Sequence, residues 1–137
     1  MKIAVRYYTR SGNTEALARA IEAAAGAKAE PVTVPLSEKA DILFLGCSYY
    51  AFDVDEAVKS FLFSNKDNIG KIVCFGTSAM MKSVRKPIKR ITDAAGIVLA
   101  EEEFHCRGSF GPMHKGHPDG TDLTKAAAFA KMVIGQE

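Results

Sequence analysis

The stretch Lys2-Ile3-Ala4-Val5-Arg6-Tyr7-Tyr8 runs directly into Thr9-Arg10-Ser11-Gly12-Asn13-Thr14, and the change of character at that junction sets the architecture. The first half is a short apolar run of strand type, while the second is polar, rich in hydroxyls and holds one glycine. Beyond it Leu17, Ile21 and Ala24 share one face at helical spacing, with Glu15, Arg19 and Glu22 elsewhere and Gly26 as a stop. Strand, tight polar turn and helix make the first half of a βαβ unit. The same alternation continues to the end of the chain.

Working outward, strands are expected over Lys2–Tyr8, Ala29–Pro35, Asp41–Cys47, Lys71–Thr77 and Ile97–Cys106. The second helix opens at Asp53-Val54-Asp55-Glu56, where Asp53 and Glu56 have capping-box spacing, and buries Val54, Ala57, Val58, Phe61 and Leu62. A third aligns Val84, Ile88, Ile91 and Ala95, and a fourth Leu123, Ala127, Ala130 and Ile134. Strict alternation means parallel pairing with right-handed crossovers. Ile3-Ala4-Val5, Ile42-Leu43-Phe44-Leu45 and Ile72-Val73-Cys74-Phe75 are apolar throughout, as strands covered on both faces are. Pro31 and Pro35 assign the second run to an edge, and Glu101-Glu102-Glu103 assign the fifth to the other. The expectation is an α/β fold, a doubly wound five-stranded parallel sheet of order 2-1-3-4-5 with helices on both faces. Arg6 is the misfit, a charge in a central strand whose partner the sequence does not name. In this order the chain reverses direction between strands 1 and 3, so a ligand belongs beyond their carboxyl ends, against the loops after strands 1, 3 and 4.

The composition agrees. At 137 residues, 47% hydrophobic and 25% charged, the chain is expected to form a single domain over residues 1–137 and is not disordered, collagen-like or coiled-coil. Its longest uncharged stretch, Ile42 to Phe52, is too short to span a bilayer, and the N-terminus lacks the pattern of a secretion signal. A cytoplasmic protein with no membrane partner is expected. A net charge of +2 gives little support for nucleic-acid binding. Cys47, Cys74 and Cys106, an odd number without Cys-x-x-Cys spacing, read as small buried apolar residues rather than disulfides, zinc ligands or reactive thiols.

Three loops carry the chemistry. Consecutive N–H groups at a helix start, small residues and hydroxyls suit Thr9, Arg10, Ser11, Gly12, Asn13 and Thr14 to a phosphate. A capped helix start explains some of them, but five hydrogen-bonding side chains around one glycine exceed what a cap requires. The segment lacks Gly-x-x-x-x-Gly-Lys and Gly-x-Gly-x-x-Gly, so the common ATP and dinucleotide loops are not supported. The loop after strand 3 holds Ser48, Tyr49, Tyr50, Ala51 and Phe52, whose aromatics either stack on a planar ligand or pack beneath the loop. After strand 4, Gly76, Thr77, Ser78, Ala79 and Met80 are small and polar before Met80 and Met81, which suit core gap filling or a ligand contact. The long segment Phe104–Gly120 could wall the same site. His105, Cys106, His114 and His117 match no standard metal spacing, so no metal is expected.

Thr9-Arg10-Ser11-Gly12-Asn13-Thr14 directly after the first strand resembles the FMN phosphate loop of flavodoxins, roughly Ser/Thr-x-Ser/Thr-Gly-x-Thr. In that context the six-residue motif is fairly specific, and length, element order and the two later loops extend the resemblance over the whole chain. The resemblance implies FMN as cofactor, with its phosphate on Thr9–Thr14 and its ring between the Ser48–Phe52 and Gly76–Met80 loops. It favours Tyr49, Tyr50 or Phe52 as the stacking residue; the family often uses Trp there, and this chain has none.

No nucleophile–base pair, Ser/His/Asp set or paired carboxylates can be argued, so no catalytic residue is named. The leading reading is an FMN-binding flavodoxin-like electron-transfer protein, a carrier between redox partner proteins rather than a turnover enzyme. The alternative is an FMN-dependent NAD(P)H:quinone-type reductase. A receiver-type signalling module of the same topology needs an acidic cluster where Tyr7, Tyr8 and Thr9 stand. Typical flavodoxins are acidic and this chain is not. Lys82, Arg85, Lys86, Lys89 and Arg90 recur at helical spacing after the strand-4 loop, with Pro87 set to delay or kink the helix. They read as a solvated face, or as a basic stripe that eases flavin reduction and docks acidic partner surfaces.

Overall fold

The computed structural model describes residues 1–9, 12–48, 55–78, 83, 85–107, 116 and 118–136. In chain order the elements are β1 (Ile3–Tyr7), α1 (Asn13–Ala25), β2 (Ala29–Pro31), β3 (Ala40–Ser48), α2 (Glu56–Asn65), β4 (Ile69–Ser78), α3 (Arg85–Ala95), β5 (Val98–Arg107) and α4 (Gly120–Gly135). The strands form one sheet of order β2-β1-β3-β4-β5, and every neighbouring pair is parallel. No helix among the described residues is long and apolar enough to cross a membrane.

Side chains alternate across each strand and so build two cores. On one face Val5 and Tyr7 of β1, Ile42 and Phe44 of β3, and Val73 and Phe75 of β4 pack under Leu17, Ala18 and Ile21 of α1 and Ala126, Ala130 and Val133 of α4. On the other, Leu43, Leu45, Ile72 and Cys74 pack under Val58, Phe61 and Leu62 of α2 and Ile88 and Ile91 of α3. Central strands therefore need apolar residues at every position.

Several expected boundaries change. β2 has three residues rather than seven. Past Pro31 the Val34 N–H turns back to the Pro31 carbonyl at 3.0 Å. The carbonyls of Val34 and Pro35 receive the Arg6 guanidinium, from Nε at 2.9 Å and Nη2 at 3.2 Å. A third bond runs from Nη1 to the Val5 carbonyl at 3.0 Å. These carbonyls are the partner that Arg6 required. Burial leaves the side chain 7% exposed and pushes its pKa down, with Glu30 on β2 opposing that shift.

β5 carries a bulge, since Leu99 lies opposite Ile72 but Glu103 opposite Cys74. Arg85 closes over it, Nε donating to the Ala100 carbonyl at 3.1 Å and Nη2 lying 3.7 Å from Glu101. Asp55, not Asp53, caps α2, accepting the Ala57 N–H at 2.9 Å; Asp53 and Val54 lie outside the described residues. Pro87 is the third residue of α3, where an N–H has no intrahelical acceptor, so its ring costs the helix no hydrogen bond. Val84 lies outside the described residues, and Ala95 is half-buried. In α4 the buried stripe runs through Ala126 rather than Ala127, with Leu123 and Ile134 half-buried beside it. A reciprocal Asp119–Asp122 capping box fixes where that helix starts.

Candidate functional site

β1 and β3 are adjacent, yet α1 leaves to one face of the sheet and α2 to the other. A crevice at their carboxyl ends follows from that divergence. The register places Tyr7 beside Gly46, Gly46 beside Phe75, Cys47 beside Gly76, Ser48 beside Thr77 and Thr77 beside Cys106. The Tyr8 N–H donates to the Gly46 carbonyl at 2.9 Å and carries the ladder past the end of β1.

Gly12 is the N-cap of α1 and sits in the left-handed region at φ +88°, with open space where a Cβ would stand. Its N–H donates to Thr9 Oγ1 at 2.9 Å, which ties the start of α1 to the residues just past β1. Gly12 has no side chain to cap the helix, so the positive end of the α1 dipole faces the crevice. The one acid in the first turn, Glu15, is drawn to Arg19 at 3.2 Å, which tempers its competition with an anion there.

Beneath the loop lies a dry floor. Thr14 is 0% exposed and Thr77 2%, and their hydroxyl oxygens stand 3.3 Å apart. A Cβ on Gly46 would overlap the Phe75 ring and come within 3.0 Å of the Thr14 methyl. The glycine is therefore required for helix α1 to seat on the sheet at this depth. Sequence reading missed Gly46 and Phe75, although a glycine ending an apolar central strand signals close approach.

On the opposite face Ser83 Oγ donates to both Glu103 carboxylate oxygens, at 2.7 and 3.0 Å, and accepts the Arg85 N–H at 3.0 Å. This ties the start of α3 to β5. Cys47 is fully buried and its thiol is pushed up to about 12 by desolvation; Cys74 is likewise raised, and Cys106, half-buried, is pushed up to about 12. All three are protonated near neutral pH and poor nucleophiles.

Of the expected site residues, the structure brings Thr9, Gly12, Asn13, Thr14, Gly76 and Thr77 to one end of the sheet, with the ends of β3 and β4 at Ser48 and Ser78. Arg10, Ser11, Tyr49, Tyr50, Ala51, Phe52, Ala79 and Met80 lie outside the described residues, as do Met81, Lys82, His114 and His117. His105 lies on β5 beside Gly76. Among the described residues no group of three or more His, Cys, Asp or Glu could hold a metal ion. Of the cations that read as a solvated face or as a basic stripe, Arg85 turns to the β5 bulge, Lys89 pairs with Asp93 at 3.1 Å, and Lys86 and Arg90 are exposed. A separate concavity of about 360 Å³ lies at the amino ends of β1 and β3. Its rim carries charges of both signs, including the Lys2–Glu38 pair at 2.7 Å.

Solved structures share this architecture. A flavodoxin from the domain Archaea matches with a TM-score of 0.76 at 17% identity, covering 99% of this chain and 98% of that one. Flavodoxin 1 from Bacillus cereus matches at 0.73 and 17% identity, covering 100% and 99%. Rubredoxin oxygen:oxidoreductase from Desulfovibrio gigas matches at 0.74 and 11% identity, covering 98% of this chain and 35% of that one. No family model and no curated protein sequence matches the chain. The fold is flavodoxin-like.

Proposed function

We propose that this flavodoxin-like chain acts as a single domain that binds FMN at the crevice between β1 and β3 and carries electrons between redox partner proteins. The observation that carries the reading is the α1 N-terminus, which opens through left-handed Gly12, between Thr9 and Thr14, at the point where the strand order reverses. Residues present fit the group. The first-turn amides and the helix dipole stabilise a phosphate dianion, and Thr9, Ser11 and Thr14 add hydroxyl donors. Arg10 adds a charge, and Gly12 and Asn13 allow close approach. The Ser48–Phe52 and Gly76–Met80 loops would hold the ring, with Tyr49, Tyr50 or Phe52 available in sequence as the stacking residue. Bound FMN supplies one- and two-electron redox chemistry, while the protein contributes binding, orientation and electrostatics.

Titrating the purified apoprotein with FMN tests this reading. The expected result is one FMN per chain, quenched fluorescence, and weaker binding after joint replacement of Ser11 and Thr14 by alanine. Unchanged FMN affinity in that double variant overturns the phosphate assignment. Steady oxidation of NAD(P)H with a quinone by the holoprotein would make it a reductase rather than a carrier. Partners with acidic surfaces, docking near Lys86 and Arg90, follow from the same reading.

A further inference from the structure

We infer that Thr77, on β4, is a positioning residue for the phosphate subsite, acting through Thr14; this rests on the FMN reading of the crevice. The two residues are 63 apart in sequence and fully buried, and their hydroxyl oxygens stand 3.3 Å apart. A threonine side chain is stiff at χ1 because two heavy atoms branch from Cβ. The Thr14 methyl is seated against Gly46, within 3.0 Å of where a Cβ would be, so its rotamer is held by packing. With that rotamer fixed, Thr14 Oγ1 faces Thr77 rather than turning freely. Each hydroxyl carries one proton and two acceptor lone pairs. Either hydroxyl can be the donor in this pair, and an anion at the α1 N-terminus favours the direction in which Thr77 donates and Thr14 turns its proton towards the crevice. The donated bond also polarises the Thr14 hydroxyl and strengthens its own donation. The first turn of α1 and the end of β4 are thereby linked by a buried hydroxyl pair.

The test measures the affinities of the full-length apoprotein for FMN and for riboflavin, which lacks the phosphate. Thr77→Val keeps the shape and removes the hydroxyl. It should weaken FMN binding by about 5- to 30-fold and riboflavin binding by clearly less, since only FMN carries the phosphate, while Thr77→Ser restores FMN affinity. In a Thr14→Val background, Thr77→Val should cause no further loss of FMN affinity. Should Thr77→Val fail to fold, Thr77→Ala carries the same comparison of the two ligands. Equal losses for FMN and riboflavin, unchanged FMN affinity, or additive losses in the double variant would overturn the inference. A wild-type chain that binds neither flavin overturns the cofactor reading itself, an outcome distinct from selective failure in the variants.

Discussion

Gly46 shows how much one hydrogen atom in place of a methyl can decide. The Phe75 ring occupies the volume that a Cβ would fill, and neither the ring, 0% exposed, nor the Thr14 methyl has room to retreat. Gly46→Ala is expected to destabilise the chain by about 1–3 kcal/mol through overpacking, measured by urea denaturation, and to lower FMN affinity by displacing α1. An alanine variant of wild-type stability would contradict that packing. Cys47 gives a pH signature. Its thiol is raised from an ordinary 9.0 to about 12 in the folded chain, so above pH 9 the unfolded state binds fewer protons than the folded one. The corresponding stabilisation is complete below pH 9 and is lost as pH rises towards 12, at up to about 1.36 kcal/mol per pH unit. Cys47→Ala should lose packing at every pH yet show a flatter decline between 9 and 12. Parallel curves for wild type and variant would contradict the assignment. Arg6 was legible only as a problem: the sequence shows a charge in a central strand, and three backbone carbonyls, two of them about 30 positions away, resolve it.

Among the elements, α3 is where expectation and structure differ most usefully. Five cations at helical spacing read as a solvated face or as one basic stripe; among those described, Arg85 serves the β5 bulge and Lys89 pairs with Asp93. Lys86 and Arg90 remain as exposed charges on a helix that starts just past the β4 loop. Replacing both by glutamine is expected to make full reduction of bound FMN harder, shifting its potential to more negative values. The shift should shrink as salt rises, because the screening length falls from about 30 Å at 0.01 M to about 3 Å at 1 M. A potential insensitive to both charge removal and salt would leave these residues as solvated surface and remove the case for acidic docking partners. The helix types, and the buried faces of α1, α2 and α3, were legible from 3.6-residue spacing, whereas caps and one phase were not. Asp55 rather than Asp53 caps α2, and in α4 Ala126 rather than Ala127 faces inward. Several candidate caps stand near each helix start, and only packing selects one.

At the scale of the whole molecule, ligand binding and folding are linked, because the crevice exists only when β1, β3 and the starts of α1 and α2 are assembled. FMN at 100 times its dissociation constant is expected to add about 2.7 kcal/mol to the unfolding free energy, read as a rise in melting temperature that riboflavin does not match at equal concentration. Equal shifts with both flavins would argue against phosphate recognition. The sheet order was determined by sequence alone, since strands covered on both faces need continuous apolar runs and edge strands carry the prolines and glutamates. The turn after β1 and the helix behind it were legible for a similar reason: small, hydroxylated residues around a glycine end a strand and open a helix. Tertiary structure alone decided the floor of the site. Thr14 on α1 and Thr77 on β4 stood out in their own segments, but Gly46 on β3 and Phe75 on β4 did not, and no single segment shows the four meeting. Their meaning comes from contacts across the sheet, up to 63 positions apart, which no local periodicity encodes.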